Sequence, residues 1–196
     1  MAALPLKPFQ AGLRRLESVL TPQQRSRLSR ALADHVADAC AAASVQTVVV
    51  TGDEQVADWA RKRSLEVLAD PPGGGLIEAS QTAAASALGR GLGWCIVHGD
   101  LPLLGAADVA RFLELLDEGN VVLAPSRDGG TNLLASFHQL GLRYGPGSFA
   151  RHLVSARHLE RRVLVTAGTS VELDTPADLH GAARLRSGSW LSEFLS

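Results

Sequence analysis

Two cysteines in 196 residues are too few for a disulfide framework, and both fall where thiols pack as small hydrophobes: Cys40 among alanines, Cys95 inside the apolar run Trp94–Val97. Their spacing matches no zinc motif. The six histidines show no HxxxH or HxH spacing, so neither a histidine metal site nor a Ser-His-Asp triad is expected. No apolar run approaches the roughly 18 residues of a membrane span, and the opening MAALPLKPF has no secretory apolar core. A cytoplasmic protein is therefore expected. An excess of charge of one sign is also missing, since 19 Lys and Arg stand against 20 Asp and Glu. Without an overall field to hold a polyanion, nucleic-acid binding is not expected. The clusters Arg61-Lys62-Arg63 and Arg157–Arg162 read as solvated helix ends, interrupted or flanked by acids such as Asp58 and Glu160. Gly73–Gly75 is followed by no Lys-Ser or Lys-Thr pair, which excludes a P-loop.

What is present is ordinary globular material, 46% hydrophobic and 20% charged, read as one domain over residues 1–196. Short β-branched runs alternate with segments of helical apolar spacing, which predicts an α/β sandwich. Strands are expected at Val45–Thr51, Glu66–Ala69, Trp94–His98, Val121–Ala124, Leu133–Phe137, Arg162–Thr166 and Ser170–Leu173. A first clear helix follows Thr21-Pro22-Gln23-Gln24, where Thr21 can cap and Gln24 can close a capping box. Further helices are expected at Asp53–Ser64, Leu76–Arg90, Ala106–Asp117, Phe149–Ala156 and from Thr175 to about Arg186. The apolar tail residues Trp190, Leu191, Phe194 and Leu195 pack either on the domain or across a homodimer.

Open α/β sheets bind ligands outside the carboxyl ends of their strands. Asp100 follows the Trp94–His98 strand and Asp174 follows the expected Ser170–Leu173 strand, so parallel strands bring both carboxylates to one edge. Such a pair suits Mg²⁺, which takes hard oxygen ligands and completes its shell from water and phosphates. Singly, each has an equally good structural role, in a turn or under a helix cap. Ser126–Asn132 is a polar glycine-containing loop that can offer backbone N–H groups and a hydroxyl to an anion. Gly145-Pro146-Gly147-Ser148 precedes a helix, whose N-terminus attracts anions. A hairpin turn and an ordinary serine cap are the plainer readings of these two segments. Lys7, Arg14 and Arg15 can neutralise phosphates near the first strand's end, or simply form a solvated face.

Taken in order, Pro5-Leu6-Lys7, Arg15-Leu16, Gly99–Leu104 (GDLPLL), Asp128–Asn132 (DGGTN), Tyr144–His152 (YGPGSFARH) and Leu173–Leu179 (LDTPADL) resemble one family. It is the guanylyltransferases that act on 2-phospho-L-lactate or phosphoenolpyruvate in making the deazaflavin coenzyme F-420. The resemblance spans nearly the whole chain, and the combination of GGTN with GPGSFARH is its most specific part. It implies a single-domain, Rossmann-like three-layer sandwich of nucleotidyltransferase type with a mostly parallel mixed sheet. It also implies that Asp100 and Asp174 bind Mg²⁺, that Lys7 and Arg15 lie beside the triphosphate of GTP, and that Thr131, Gly145 and Ser148 hold the phosphorylated acid. Asn132, in the same loop, joins the acid-binding set.

This chain departs from the family pattern with Leu13 in place of a lysine and Ile77 in place of an asparagine. Two alternatives therefore stay open: a catalytically weakened relative that binds ligand or partner, and a nucleotidyltransferase using another acceptor. If Leu13 impairs the use of GTP, Leu13→Lys is expected to lower the KM for GTP or raise turnover. An unchanged KM and kcat would mark Leu13 as an accommodated substitution.

Overall fold

The computed structural model describes residues 1–71 and 73–195; Pro72 and Ser196 lie outside the described residues. Seven strands form one sheet among the described residues: β1 (Ala2–Pro5), β2 (Thr47–Thr51), β3 (Glu66–Ala69), β4 (Trp94–Val97), β5 (Asn120–Pro125), β6 (Thr131–Ser136) and β7 (Glu160–Val163). Their order is β3-β2-β1-β4-β6-β5-β7. β6 runs against both of its neighbours, while the other pairings are parallel. The helices are α1 (Pro22–Ala42), α2 (Glu54–Lys62), α3 (Leu76–Gly89), α4 (Ala106–Glu114), α5 (Ser148–Ser155), the single turn α6 (Ala167–Ser170) and α7 (Pro176–Ala183).

The five inner strands are buried on both sides because helices cover both sides, whereas the edge strands β3 and β7 carry exposed charged residues such as Glu66 and Glu160. Within β2, Val49 turns toward α1, α2 and α4, where it joins Val36, Trp59 and Phe112. Val48 and Val50 turn the other way, against Ala79, Ala83 and Ala87 of α3. The period-2 alternation of a strand thus feeds two cores from one run of valines. A third cluster joins Leu28 and Leu32 of α1 to Leu173, Leu179, Leu191 and Phe194. It seats the C-terminal 3₁₀ segment Arg186–Phe194 on the domain, with the Trp190 indole N–H donating to the Pro102 carbonyl at 3.2 Å. Of the apolar tail, Leu191 and Phe194 are buried and Leu195 remains exposed.

α1 starts as its sequence predicts: the Gln24 N–H donates to Thr21 Oγ1 at 3.2 Å, and the Thr21 N–H donates to Gln24 Oε1 at 2.9 Å. Two strand assignments are corrected. β7 begins two residues earlier than expected, at Glu160, and its pairing with β5 ends at the Leu164 N–H bond to the Leu123 carbonyl. Ser170–Leu173 is no strand. Thr166 caps the turn α6 through a reciprocal bond with Thr169 and also donates to Asp108 Oδ1 at 2.7 Å, so the chain coils before it can reach a sheet edge. The apolar/polar alternation Val171-Glu172-Leu173 mimics a strand, but its apolar members pack on the third cluster.

Phe112 is wholly buried in the core under α4. Phe112→Ala is expected to cost about 3–5 kcal/mol, read as a lowered urea midpoint with an unchanged m-value.

Candidate active site

From β1 the chain crosses outward to β2 and β3, then returns over the sheet to place β4 on the other side of β1. That reversal opens a crevice between the carboxyl ends of β1 and β4. Leu6 and Lys7 leave one strand there, and His98, Gly99 and Asp100 leave the other. The two segments lie so close that a Cβ on Gly99 would stand 2.5 Å from Leu6 Cδ2. Asp100 stands where three cavities meet. One, of about 190 Å³, is walled by Leu6, Val50, Leu76 and Ala79 and carries Asp70. A second, of about 150 Å³, is lined by Lys7, Gly12, Leu13 and Ser29. The third, of about 290 Å³, holds Arg15, Ser126, Thr131, Asn132, Gly145, Ser148, Glu172 and Asp174.

Asp174 reaches Asp100 without a strand of its own. The Leu173 N–H donates to the Asp100 carbonyl at 2.9 Å, pinning the segment before α7 to the end of β4. Thr175 then caps α7, accepting from the Asp178 N–H. Arg15 pairs with Asp174 Oδ2 at 2.5 Å, with side chains 70% and 41% exposed. So open a pair is worth about 0–1 kcal/mol, and its arginine can turn to an incoming anion at little cost. Asp100 Oδ1 is buried and has no hydrogen-bond partner. Burial raises its carboxyl above the usual range; His98 opposes the rise and Asp174 adds to it. Glu172 lines the same cavity and is pushed up to about 7, first by burial and then by Asp100, Asp128 and Asp174. Among the described residues no three acidic, histidine or cysteine side chains converge tightly enough to hold a metal ion unaided. Two hard carboxylates, one with an unsatisfied buried oxygen, fit a divalent cation that draws further oxygens from a phosphate.

The opposite wall is built by β6 and α5. The turn between β5 and β6 closes with Ser126 N–H on the Gly130 carbonyl, and the Asp128 carboxylate accepts from the Gly130 N–H at 3.0 Å. It is a hairpin turn, and it also lines the cavity. Ser148 is the first residue of α5 rather than its cap; Gly147, with φ +70°, holds the cap position. Gly145 has φ +101°, a backbone state that favours glycine. The Arg151 guanidinium accepts no further work in the cleft, because it bonds the carbonyls of Arg143, Tyr144, Gly145 and Pro146 at 2.6–3.3 Å. Ser148, the first residue of α5, lines the cavity, which places the positive end of that helix at its wall. Thr131 and Ser148 are buried and joined through their hydroxyls at 3.2 Å. Asn132 is divided: its Nδ2 donates to the Thr169 carbonyl at 3.1 Å, bracing α6, and its buried Oδ1 has no partner.

The description "guanylyl transferase CofC like" fits residues 1–195. The chain belongs to this family. It is 36% identical over 191 residues to a phosphoenolpyruvate guanylyltransferase of Sphaerobacter thermophilus, covering 93% of this chain and 92% of that one. It is 30% identical over 200 residues to a 2-phospho-L-lactate guanylyltransferase of Methanothermobacter thermautotrophicus, covering 99% and 88%. Among solved structures, a Desulfovibrio desulfuricans G20 protein assigned provisionally as a nucleotide-diphospho-sugar transferase superposes with a TM-score of 0.78 at 19% identity, covering 98% of this chain and 93% of that one. That likeness bears on the fold, a nucleotidyltransferase-like α/β sandwich.

In this CofC-like chain the residues singled out from sequence are brought to one cleft, although not to one chamber. Asp100, Asp174, Arg15, Thr131, Asn132, Gly145 and Ser148 share the largest of the three cavities, whereas Lys7 lines the two on the other side of Asp100. Leu13 lines the Lys7 cavity in a left-handed conformation, φ +55°. Ile77 is not among the residues lining the Asp70 cavity, whose wall takes Leu76 and Ala79 from the same helix. Sequence reasoning missed Glu172, Asp70 and His152. Glu172 stands two residues before Asp174, a spacing that could have drawn notice; Asp70 follows β3 as Asp100 follows β4, and His152 lies in a quoted motif.

The unsatisfied, like-charged carboxylate at Asp100 destabilises the fold when no cation is bound. Asp100→Asn is therefore expected to raise the melting temperature of magnesium-free protein by roughly 2–4 °C, the shift for about 1 kcal/mol in a chain of this size. Thermal unfolding in chelator checks this, and a lowered melting temperature would contradict it.

Proposed function

We propose that this protein transfers GMP from GTP to the phosphate of a small phosphorylated carboxylic acid, phosphoenolpyruvate or 2-phospho-L-lactate, with release of pyrophosphate, as a step in building coenzyme F-420. The observation that carries the reading is the position of Asp100, at the junction between a cavity lined by Lys7 and one lined by Arg15, Thr131 and Ser148. Two anionic substrates entering from opposite sides meet over that carboxylate.

In this scheme a phosphate oxygen of the acid attacks the α-phosphorus of GTP in line. The new O–P bond forms as the bond from the α-phosphorus to the bridging oxygen breaks, and pyrophosphate carries away the electron pair. The attacking phosphate is anionic near neutral pH, so no general base is required. Burial lowers the pKa of both His98 and His152, and this scheme takes a proton to neither ring. Catalysis is then positioning and charge neutralisation. Asp100 and Asp174 are the residues that would hold Mg²⁺, which supplies charge neutralisation and a template for the phosphates. Lys7 sits beside the triphosphate, and Arg15 exchanges Asp174 for a phosphate oxygen. Thr131, Ser148, Gly145 and the start of α5 receive the acid, which carries both a phosphate and a carboxylate. The apolar slot beside Asp70 is left for the base. No helix among the described residues is long and apolar enough to cross a membrane, and we assign the reaction to the cytoplasm.

Incubation with GTP and Mg²⁺ is expected to release pyrophosphate with phosphoenolpyruvate or 2-phospho-L-lactate, and not with ATP or CTP in place of GTP. Asp100→Asn is expected to lose at least ~100-fold in turnover while remaining folded. No release with any pair, from folded protein, would move the assignment to a ligand-binding relative; release with 3-phosphoglycerate alone would change the acceptor.

A further inference from the structure

His152 is buried and lines no part of the cleft, yet it is bonded at both ring nitrogens. The Arg143 N–H donates to Nε2 at 2.9 Å, and Nδ1 lies 3.0 Å from Thr131 Oγ1. A backbone N–H can only donate, so Nε2 must be the lone-pair nitrogen. The proton of the neutral ring is then on Nδ1 and is donated to Thr131. Burial, Arg151 and His98 hold the ring pKa down to about 4, which keeps the second proton away.

The consequence falls on the hydroxyls of Thr131 and Ser148, 3.2 Å apart and carried by two buried residues that line the cavity. Between them they have two protons. One is used in the bond that joins them. With His152 as a donor, neither hydroxyl spends its proton on the imidazole, so the second proton is free to point into the cleft. In the opposite tautomer Thr131 would donate to Nδ1 and Ser148 to Thr131, and the pair would present only lone pairs to an anion.

We propose that His152 is a positioning residue for the acceptor: its tautomer, fixed by the Arg143 N–H, forces the Thr131–Ser148 pair to meet an anionic oxygen as a hydrogen-bond donor. The inference rests on the third cavity being the site of the phosphorylated acid. It assigns His152 no contact with substrate and no proton transfer.

Two experiments test it. The first uses the unmodified protein with ¹⁵N-labelled histidine and reads the ring nitrogens of His152 by long-range ¹H–¹⁵N correlation. A protonated Nδ1 and an unprotonated Nε2 throughout pH 6–8 are expected; an Nε2–H tautomer or an imidazolium overturns the proposal, whatever the enzyme's substrate. The second compares His152→Phe, which removes both bonds, with His152→Gln, whose amide keeps one donor and one acceptor. His152→Phe leaves the second hydroxyl proton in place but removes the bond that orients it, so the KM for the acid is expected to rise by about 3- to 10-fold, the net loss of one neutral hydrogen bond, while the KM for GTP stays within about twofold. His152→Gln is expected to recover most of that loss. Equal rises in both KM values, or no recovery with glutamine, would reduce His152 to a packing role and overturn the proposal. Should no acid support pyrophosphate release at all, the functional reading fails, and the nitrogen spectrum still decides the tautomer.

Discussion

The reversal of β6 is the constraint from which the cleft follows, because an antiparallel strand presents its beginning where its parallel neighbours present their ends. Beside β4 it places Thr131 and Asn132 level with His98, and the His98 N–H continues the ladder onto the Asn132 carbonyl at 3.1 Å. The hairpin turn before β6 comes to the same edge, and the Phe149 N–H bonds the Gly129 carbonyl at 3.2 Å, drawing the start of α5 in behind it. Had β6 been parallel, Thr131 would lie at the opposite end of the sheet from Asp100. One direction of one strand therefore decides that the hydroxyls and the carboxylates face each other.

The cleft is polar and partly unsatisfied, and its rigidity comes from what lies beneath it. Asp100 Oδ1, His98 Nε2 and Asn132 Oδ1 are buried without partners. Tyr144 stands between the two histidines, its ring 5.3 Å from His98 and 5.1 Å from His152. Such groups cost stability in the free protein and are suited to meeting a ligand's charges. They are carried by strands whose side chains are buried on both faces, and by loops held through Arg151, Asp108 and the Leu173–Asp100 bond. Precision at the cleft is thus supplied by ordinary packing and by carbonyls that already have donors. His152 belongs to the same pattern, a buried ring whose bonding to one backbone group sets what a neighbouring hydroxyl can do.

Much of the architecture was legible because the local and tertiary signals agree. The Thr21 capping box and the doubly buried valines of β2 each have a local cause that the fold leaves intact. The segment from Arg162 to Leu173 was not legible. There β-branched residues and an apolar/polar alternation favour a strand, while the Thr166 cap and its bond to Asp108 form a helical turn. Ser148 misled in the same way: its type suits a cap, but the cap position falls to Gly147, whose backbone takes a conformation serine would resist.

The sequence alone determined the alternation of strands and helices, the acids and hydroxyls available to a ligand, and a resemblance specific enough to name a family. These are properties of residue type and spacing along a chain. Only the tertiary structure decided that Asp174 reaches Asp100 through a backbone bond instead of a strand, that Glu172 stands with them, and that His152 directs Thr131. Hydrogen-bond partners distant in sequence leave no periodicity to read, and the direction in which a buried group donates depends on which backbone N–H the fold sets against it.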